Sequence, residues 1–283
     1  MRSINLISVY NHMDGYLEEA EQEDHIAFPE LWDKYAIKPY WDDISQWAPF
    51  DLSDRKPKPI TDTVSLKKQV DMLRSMDLGA IQSEFQSVMS KLPGYDSDDM
   101  TVAIYPLDDK NELVKERQNG VLGDCIFGNI MLQVNPFAEN YLTWIPYVFA
   151  HEYHHCIWGH YRYVIRGGGN GTLLEALLID GQADSFAKSI YPSLHPAWIE
   201  QISENDEREL WKMHYADRLK HTEFDYPKYM FGSREDGVPW CAGYFFGYRI
   251  IESFRKRFPH IDYKSMLEMD TEEIYTLSCY QQD

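Results

Sequence analysis

The stretch YLTWIPYVFAHEYHHCIWGHY, from Tyr141 to Tyr161, decides how this chain is read. Within it His151, Glu152 and His155 stand in the pattern H-E-x-x-H. Helical residues advance by about 100° each, so the two histidines lie roughly 40° apart on one face, one turn displaced. Both imidazoles then reach one metal ion from the same side. Glu152 sits beside the first of them, where its carboxylate can hold a water against that ion. The surroundings predict a buried helix. From Tyr147 onward, Val148, Ala150, Tyr153, Ile157 and Trp158 leave few surface positions, and in VFAHEYHHCI the residues flanking both histidines are uncharged. Pro146 fits if the helix begins close to it. A solvated helix with His and Glu facing water conflicts with this apolar content. Two imidazoles and a carboxylate on a buried helix need a compensating partner, and a metal supplies one.

Neighbouring residues with metal-binding chemistry read differently. His154 points away from the side shared by His151 and His155, and His160 lies off that face, so both are expected to pack or to face solvent. Cys156 follows His155 but is turned off the ligand face, as a core-filling thiol. The other cysteines are Cys125, Cys241 and Cys279. None of the four forms C-x-x-C, and all read as reduced thiols.

Two histidines do not hold a catalytic zinc; a third protein ligand is required, with one position left for water. The apolar segment LLEALLIDGQADSFAKSI, Leu173 to Ile190, predicts a second long helix that offers Glu175, Asp180 and Asp184. Asp180 and Asp184 share a face, whereas Glu175 lies about 140° around from Asp180. Asp180 is assigned as the ligand, and Asp184 as the acid that accepts the free N–H of a ligand histidine. Glu175 as ligand, with Asp180 behind it, is the alternative.

The chain has 283 residues, 44% hydrophobic and 14% aromatic, enough to bury a sizeable core. Its net charge of −19 argues against nucleic-acid backbones and anionic membranes as partners. The opening MRSINLISVYNHMDGYLEEAEQED has only a short apolar run before its acids, unlike a signal peptide, and no stretch matches a membrane span. A cytoplasmic location is therefore expected. Strands are predicted at Ile4–Tyr10, at Thr101–Pro106 and, most strongly, at Asp124–Pro136 with a glycine inside. Helices are predicted at Val64–Met76, Ile81–Leu92, Asn205–Leu219 and Ala242–Phe258, with a charged loop from Asp108 to Gly123. The loop RGGGNGT, Arg166 to Thr172, lacks P-loop residues and reads as a flexible connection. Strands and helices mix early, and helices dominate after the motif. This order predicts an α+β fold in one catalytic domain of two lobes, about 1–165 and 170–283, with a cleft between them.

On these residues the chain resembles the gluzincin metallopeptidases, the thermolysin-like clan, in which H-E-x-x-H is followed by a second helix bearing acid-x-x-x-acid. More narrowly, YVFAHEYHHCIWGHY, LLEALLIDGQADSF and YMFGSREDGVPWCAGYFFGYRII resemble a bacterial family of predicted zinc-dependent proteases described as a domain of unknown function. The resemblance runs from about Asp99 to the C-terminus. In that family the middle segment reads E-G-x-A-E/D; here Asp180-Gly181-Gln182-Ala183-Asp184 stands in its place, one methylene shorter at the ligand. The resemblance implies a zincin-like fold and the glycine-bearing strand Asp124–Pro136 at the cleft edge, where it can pair with an extended peptide.

The expected chemistry is peptide-bond hydrolysis. His151, His155 and Asp180 hold Zn2+, Glu152 is the general base, and Tyr244, or Tyr248 one turn on, donates to the oxyanion. A peptide or protein is the expected substrate. A zinc-binding module of the same fold without turnover is the second reading. A deformylase would need a cysteine ligand in a motif that GDCIF around Cys125 does not match, and a purely structural protein leaves the acid pair without purpose.

Overall fold

A computed structural model of the chain describes residues 3–22, 27–96 and 98–280, so part of the Met1–Asp24 stretch lies outside the described residues. The chain divides into two compact units, Met1–Cys156 and Ile157–Asp283.

The first unit is mixed α/β. Its sheet has four strands, β1 (Ile4–Ser8), β2 (Met100–Pro106), β3 (Val121–Ile126) and β4 (Asn129–Val134), in the order β1-β2-β4-β3. β1, β2 and β4 are parallel, and β3 runs antiparallel to β4 along one edge. β2 is buried along its whole length, as a strand covered on both faces must be. Helices Thr63–Arg74 and Leu78–Lys91 begin at Asp62 and Asp77, whose carboxylates accept the N–H groups of Ser65 and Ala80, each at 3.0 Å. Leu66, Val70 and Leu73 on the first and Phe85, Val88 and Met89 on the second are buried.

Two expectations change here. The strand expected from Asp124 to Pro136 is a hairpin of β3 and β4. Phe127 and Gly128 join the strands with φ of 47° and 100°, and two left-handed residues make the turn whose twist suits a two-residue hairpin. The glycine thus marks a turn. The expected loop from Asp108 to Gly123 contains a helix, Glu112–Arg117, and the start of β3. Asn111 caps that helix by accepting the Val114 N–H at 3.3 Å. Six residues with only Val114 buried are too short to show a helical apolar period.

The motif helix spans Tyr141–Gly159 and so starts earlier than Pro146 suggested. Pro146 is its sixth residue and forfeits one bond, to the carbonyl of Leu142, a residue 51% exposed. From Tyr147 to His154 every residue is buried, which excludes the solvated-helix reading. Phe149 stacks on Phe85 with ring centroids 3.9 Å apart, and the Tyr153 hydroxyl donates to the Leu92 carbonyl at 2.9 Å. These two contacts fix how the helix is rotated about its axis.

The second unit is helical among its described residues. Its core joins Leu177 and Leu178 of helix Leu173–Ile190 to Phe245, Phe246 and Ile250 of helix Ala242–Arg257, with Trp211 packed against Phe246 at 5.3 Å. The two long helices touch backbone to backbone. A Cβ on Gly181 would strike the carbonyl of Gly247, and one on Gly247 would strike the carbonyl of Leu177. Glycine is used here for close approach within a helix, at a cost of about 1 kcal/mol in helix propensity against alanine. Among the described residues no helix is long and apolar enough to cross a membrane.

Gly181→Ala should therefore lower the unfolding free energy by about 1–3 kcal/mol, the cost of overpacking, despite alanine's better helix propensity. Gly159→Ala, at a residue with helical φ and ψ and nothing within 4 Å of the added methyl, should instead raise it by up to about 1 kcal/mol through helix propensity. Urea titrations of both variants check this; equal midpoints would contradict the backbone contact.

Candidate metal centre

The buried turn of the motif helix places His151 and His155 with Nε2 atoms 2.9 Å apart and ring planes at 83°. Among the described residues one group of three side chains could hold a metal ion: His151, His155 and Asp180. Their ligand atoms lie within 4.8 Å of one another. His151 and Asp180 are buried and His155 is half-buried. The donors fit zinc. Imidazole nitrogen and carboxylate oxygen are its usual ligands, and two nitrogens bound at about 2.0–2.1 Å in a tetrahedron would stand ~3.3 Å apart.

Glu152 is 8% exposed, and burial pushes its carboxyl up to about 7. The neighbouring His151 and His155 oppose the rise, while Asp124 and Cys125 add to it. Room for this carboxylate comes from the sheet. A Cβ on Gly123, in β3, would collide with Glu152 Cγ and Val148 Cγ1. Gly123 closes the loop expected from Asp108 to Gly123, and a glycine just before an apolar run is its one sign in the sequence.

The three acids of helix Leu173–Ile190 have separate surroundings. Glu175 Oε2 accepts the Gly171 N–H at 2.7 Å, and the Glu175 N–H is capped by Thr172 Oγ1 at 3.2 Å, so this acid closes the glycine loop onto the helix start. Asp184 is fully buried, and both its oxygens accept from the Trp198 indole N–H, at 3.0 and 3.1 Å. Only Asp180 joins the histidine group. His154 is fully buried, and His160 opens a π-helical turn, His160–Ile165. Neither belongs to the group.

Tyr244 is partly buried against the core of the second unit, 6.0 Å from the ring of Phe231. Tyr248 has its hydroxyl raised above the ordinary range, first by burial and then by the carboxylates of Glu252 and Asp184. Two partners escaped the sequence reading because they come from distant segments. Trp198 is one. Arg55 is the other: it pairs with Asp124 of β3 at 2.7 Å, while burial lifts the Asp124 carboxyl and Arg55 pulls it back.

A family model described as "Predicted Zn-dependent protease (DUF2268)" matches residues 79–276, well over half of the chain. No curated protein and no solved structure matches it.

The Glu152 burial has a measurable sign. The carboxyl has an ordinary value of 4.5 and about 7 in the fold, so between these the folded protein holds a proton that the unfolded chain has lost. Metal-free protein should therefore lose stability from this group as pH rises from about 4.5 to 7, up to a few kcal/mol. Glu152→Gln, unfolded by urea in the presence of a chelator, should come close to wild type at about pH 4, below the ordinary carboxyl value, and exceed it at about pH 8. A wild type as stable as the variant at pH 8 would contradict a carboxylate held out of water.

Proposed function

This chain belongs to the predicted Zn-dependent protease family (DUF2268), and from that membership we propose that it hydrolyses peptide bonds with a gluzincin-type site. The observation that carries the reading is the convergence of His151, His155 and Asp180 on one small volume, beside a buried glutamate. His151, His155 and Asp180 would hold Zn2+. Bound there, zinc supplies Lewis-acid chemistry: it makes water nucleophilic near neutral pH and polarises a carbonyl.

The remaining work falls to the chain's own residues. Glu152, with its affinity for protons raised by burial, takes the proton from the attacking water and delivers it to the leaving amine. Asp184, anchored by Trp198, is the proposed acid behind the ligand set. Tyr244 is the proposed second donor to the oxygen that gains charge. β3 is an edge strand, half-buried over its middle four residues, and its unpaired backbone side can take an extended peptide by strand addition. The cytoplasm remains the proposed location.

Zinc stoichiometry of purified protein tests the ligand set. Wild type should hold close to one equivalent; His151→Ala and Asp180→Ala should lose it, and Glu175→Gln should keep it. Loss in Glu175→Gln with retention in Asp180→Ala would reverse the assignment. Against a broad peptide library, Glu152→Gln should retain zinc and lose hydrolysis. Tyr244→Phe should lower kcat about 10²-fold with little change in KM. Normal turnover by Glu152→Gln would overturn the mechanism.

A further inference from the structure

Cys125 and Cys156 are 31 residues apart in sequence, yet their Sγ atoms lie 2.9 Å apart. Both are thiols, and both belong to the first unit. Each is held by regular structure. Cys125 is in β3, opposite Ile130 of β4, and Cys156 is in the motif helix, its sulfur 3.6 Å from the Asn129 carbonyl. A disulfide has its sulfurs about 2.0 Å apart, so bonding needs a shift of under about one ångström. The two thiols differ in access: Cys125 is half-buried and Cys156 is 2% exposed.

We propose that Cys125 and Cys156 are a reversible dithiol–disulfide pair, oxidised by a low-molecular-weight disulfide of the glutathione class. The difference in access sets the order of events. The Cys125 thiolate attacks one sulfur of the small disulfide, breaks its S–S bond and releases one small thiolate. Cys156 then gives up its proton and attacks the Cys125 sulfur of the mixed disulfide, releasing the second small thiolate. Two protein thiols are oxidised to one disulfide, one small disulfide is reduced to two small thiols, and the two protons end on those thiols.

The new bond would tie the edge strand β3 to the motif helix, one residue beyond His155. Transient disulfides of this kind are the usual redox-responsive form in reducing compartments. Cys279, exposed at the end of helix Thr271–Ser278, has no such neighbour among the cysteines and serves as an internal control.

The test uses full-length native protein and needs neither metal nor hydrolysis. Reduced protein is incubated with oxidised glutathione, remaining thiols are alkylated after unfolding, and non-reduced digests are mapped by mass spectrometry. The expected result is a peptide pair joined through Cys125 and Cys156, with two fewer alkylated thiols at those positions, restored by dithiothreitol. Cys279→Ser should give the same cross-link. Cys156→Ser should leave glutathione on Cys125, since the resolving thiol is gone, and Cys125→Ser should leave Cys156 alkylatable. A wild type in which Cys125 remains a thiol, or keeps glutathione without the cross-link, overturns the proposal.

Discussion

Ionisable groups withdrawn from water must be compensated, and this constraint organises the structure. The motif helix buries Glu152 and His151 in a run with no surface position between Tyr147 and His154. An isolated carboxylate in such a place costs several kcal/mol, and proteins meet the cost by protonation, pairing or a metal. The geometry bears on each response: burial lifts the carboxyl of Glu152 to about 7, the charges of His151 and His155 oppose that rise, and the donors of His151, His155 and Asp180 lie close enough together that they could hold one ion. The sheet yields to the same constraint, because Gly123 removes the one side chain that would occupy the carboxylate's space.

Helix Leu173–Ile190 shows how three acids on one element come to different tasks. Glu175 is engaged by the glycine loop, Asp184 by Trp198, and Asp180 is left to the histidines. Gly181 stands next to Asp180 because the helix there lies against the backbone of Gly247. The segment Asp180-Gly181-Gln182-Ala183-Asp184 therefore combines two requirements, a donor on one face and a contact without side chains on another. An aspartate reaches less far than a glutamate, and the backbone on which it stands is held by that glycine contact.

Where chemistry and local periodicity coincide, the sequence was informative. The helix from Leu173 to Ile190 has the bounds its apolar pattern indicates, and helix Ala242–Arg257 differs by one residue. The motif helix was legible apart from its first turn, where Pro146 drew the boundary too late. The hairpin of β3 and β4 was not, because an apolar run containing one glycine looks the same whether the chain continues or reverses; the left-handed φ of Phe127, a bulky residue, gives no compositional sign. Helical angles pair Asp180 with Asp184 on one face and set Glu175 apart, but which acid lies near the histidines is a contact between elements that those angles leave open. The pairs Arg55–Asp124, Trp198–Asp184 and Cys125–Cys156 were invisible, since each joins residues from different elements with no spacing rule between them.

In H-E-x-x-H the two middle letters are conventionally blanks, but here the first of them is Tyr153, whose hydroxyl is bound to the carbonyl of Leu92. That partner belongs to the main chain and cannot mutate. A lineage that loses the tyrosine has no second site at which a matching substitution restores the bond. Correlated change between aligned positions, the usual trace of a structural contact, will therefore leave no mark at this one. Its signature would be one-sided: an unexplained constancy at a position that the motif declares free.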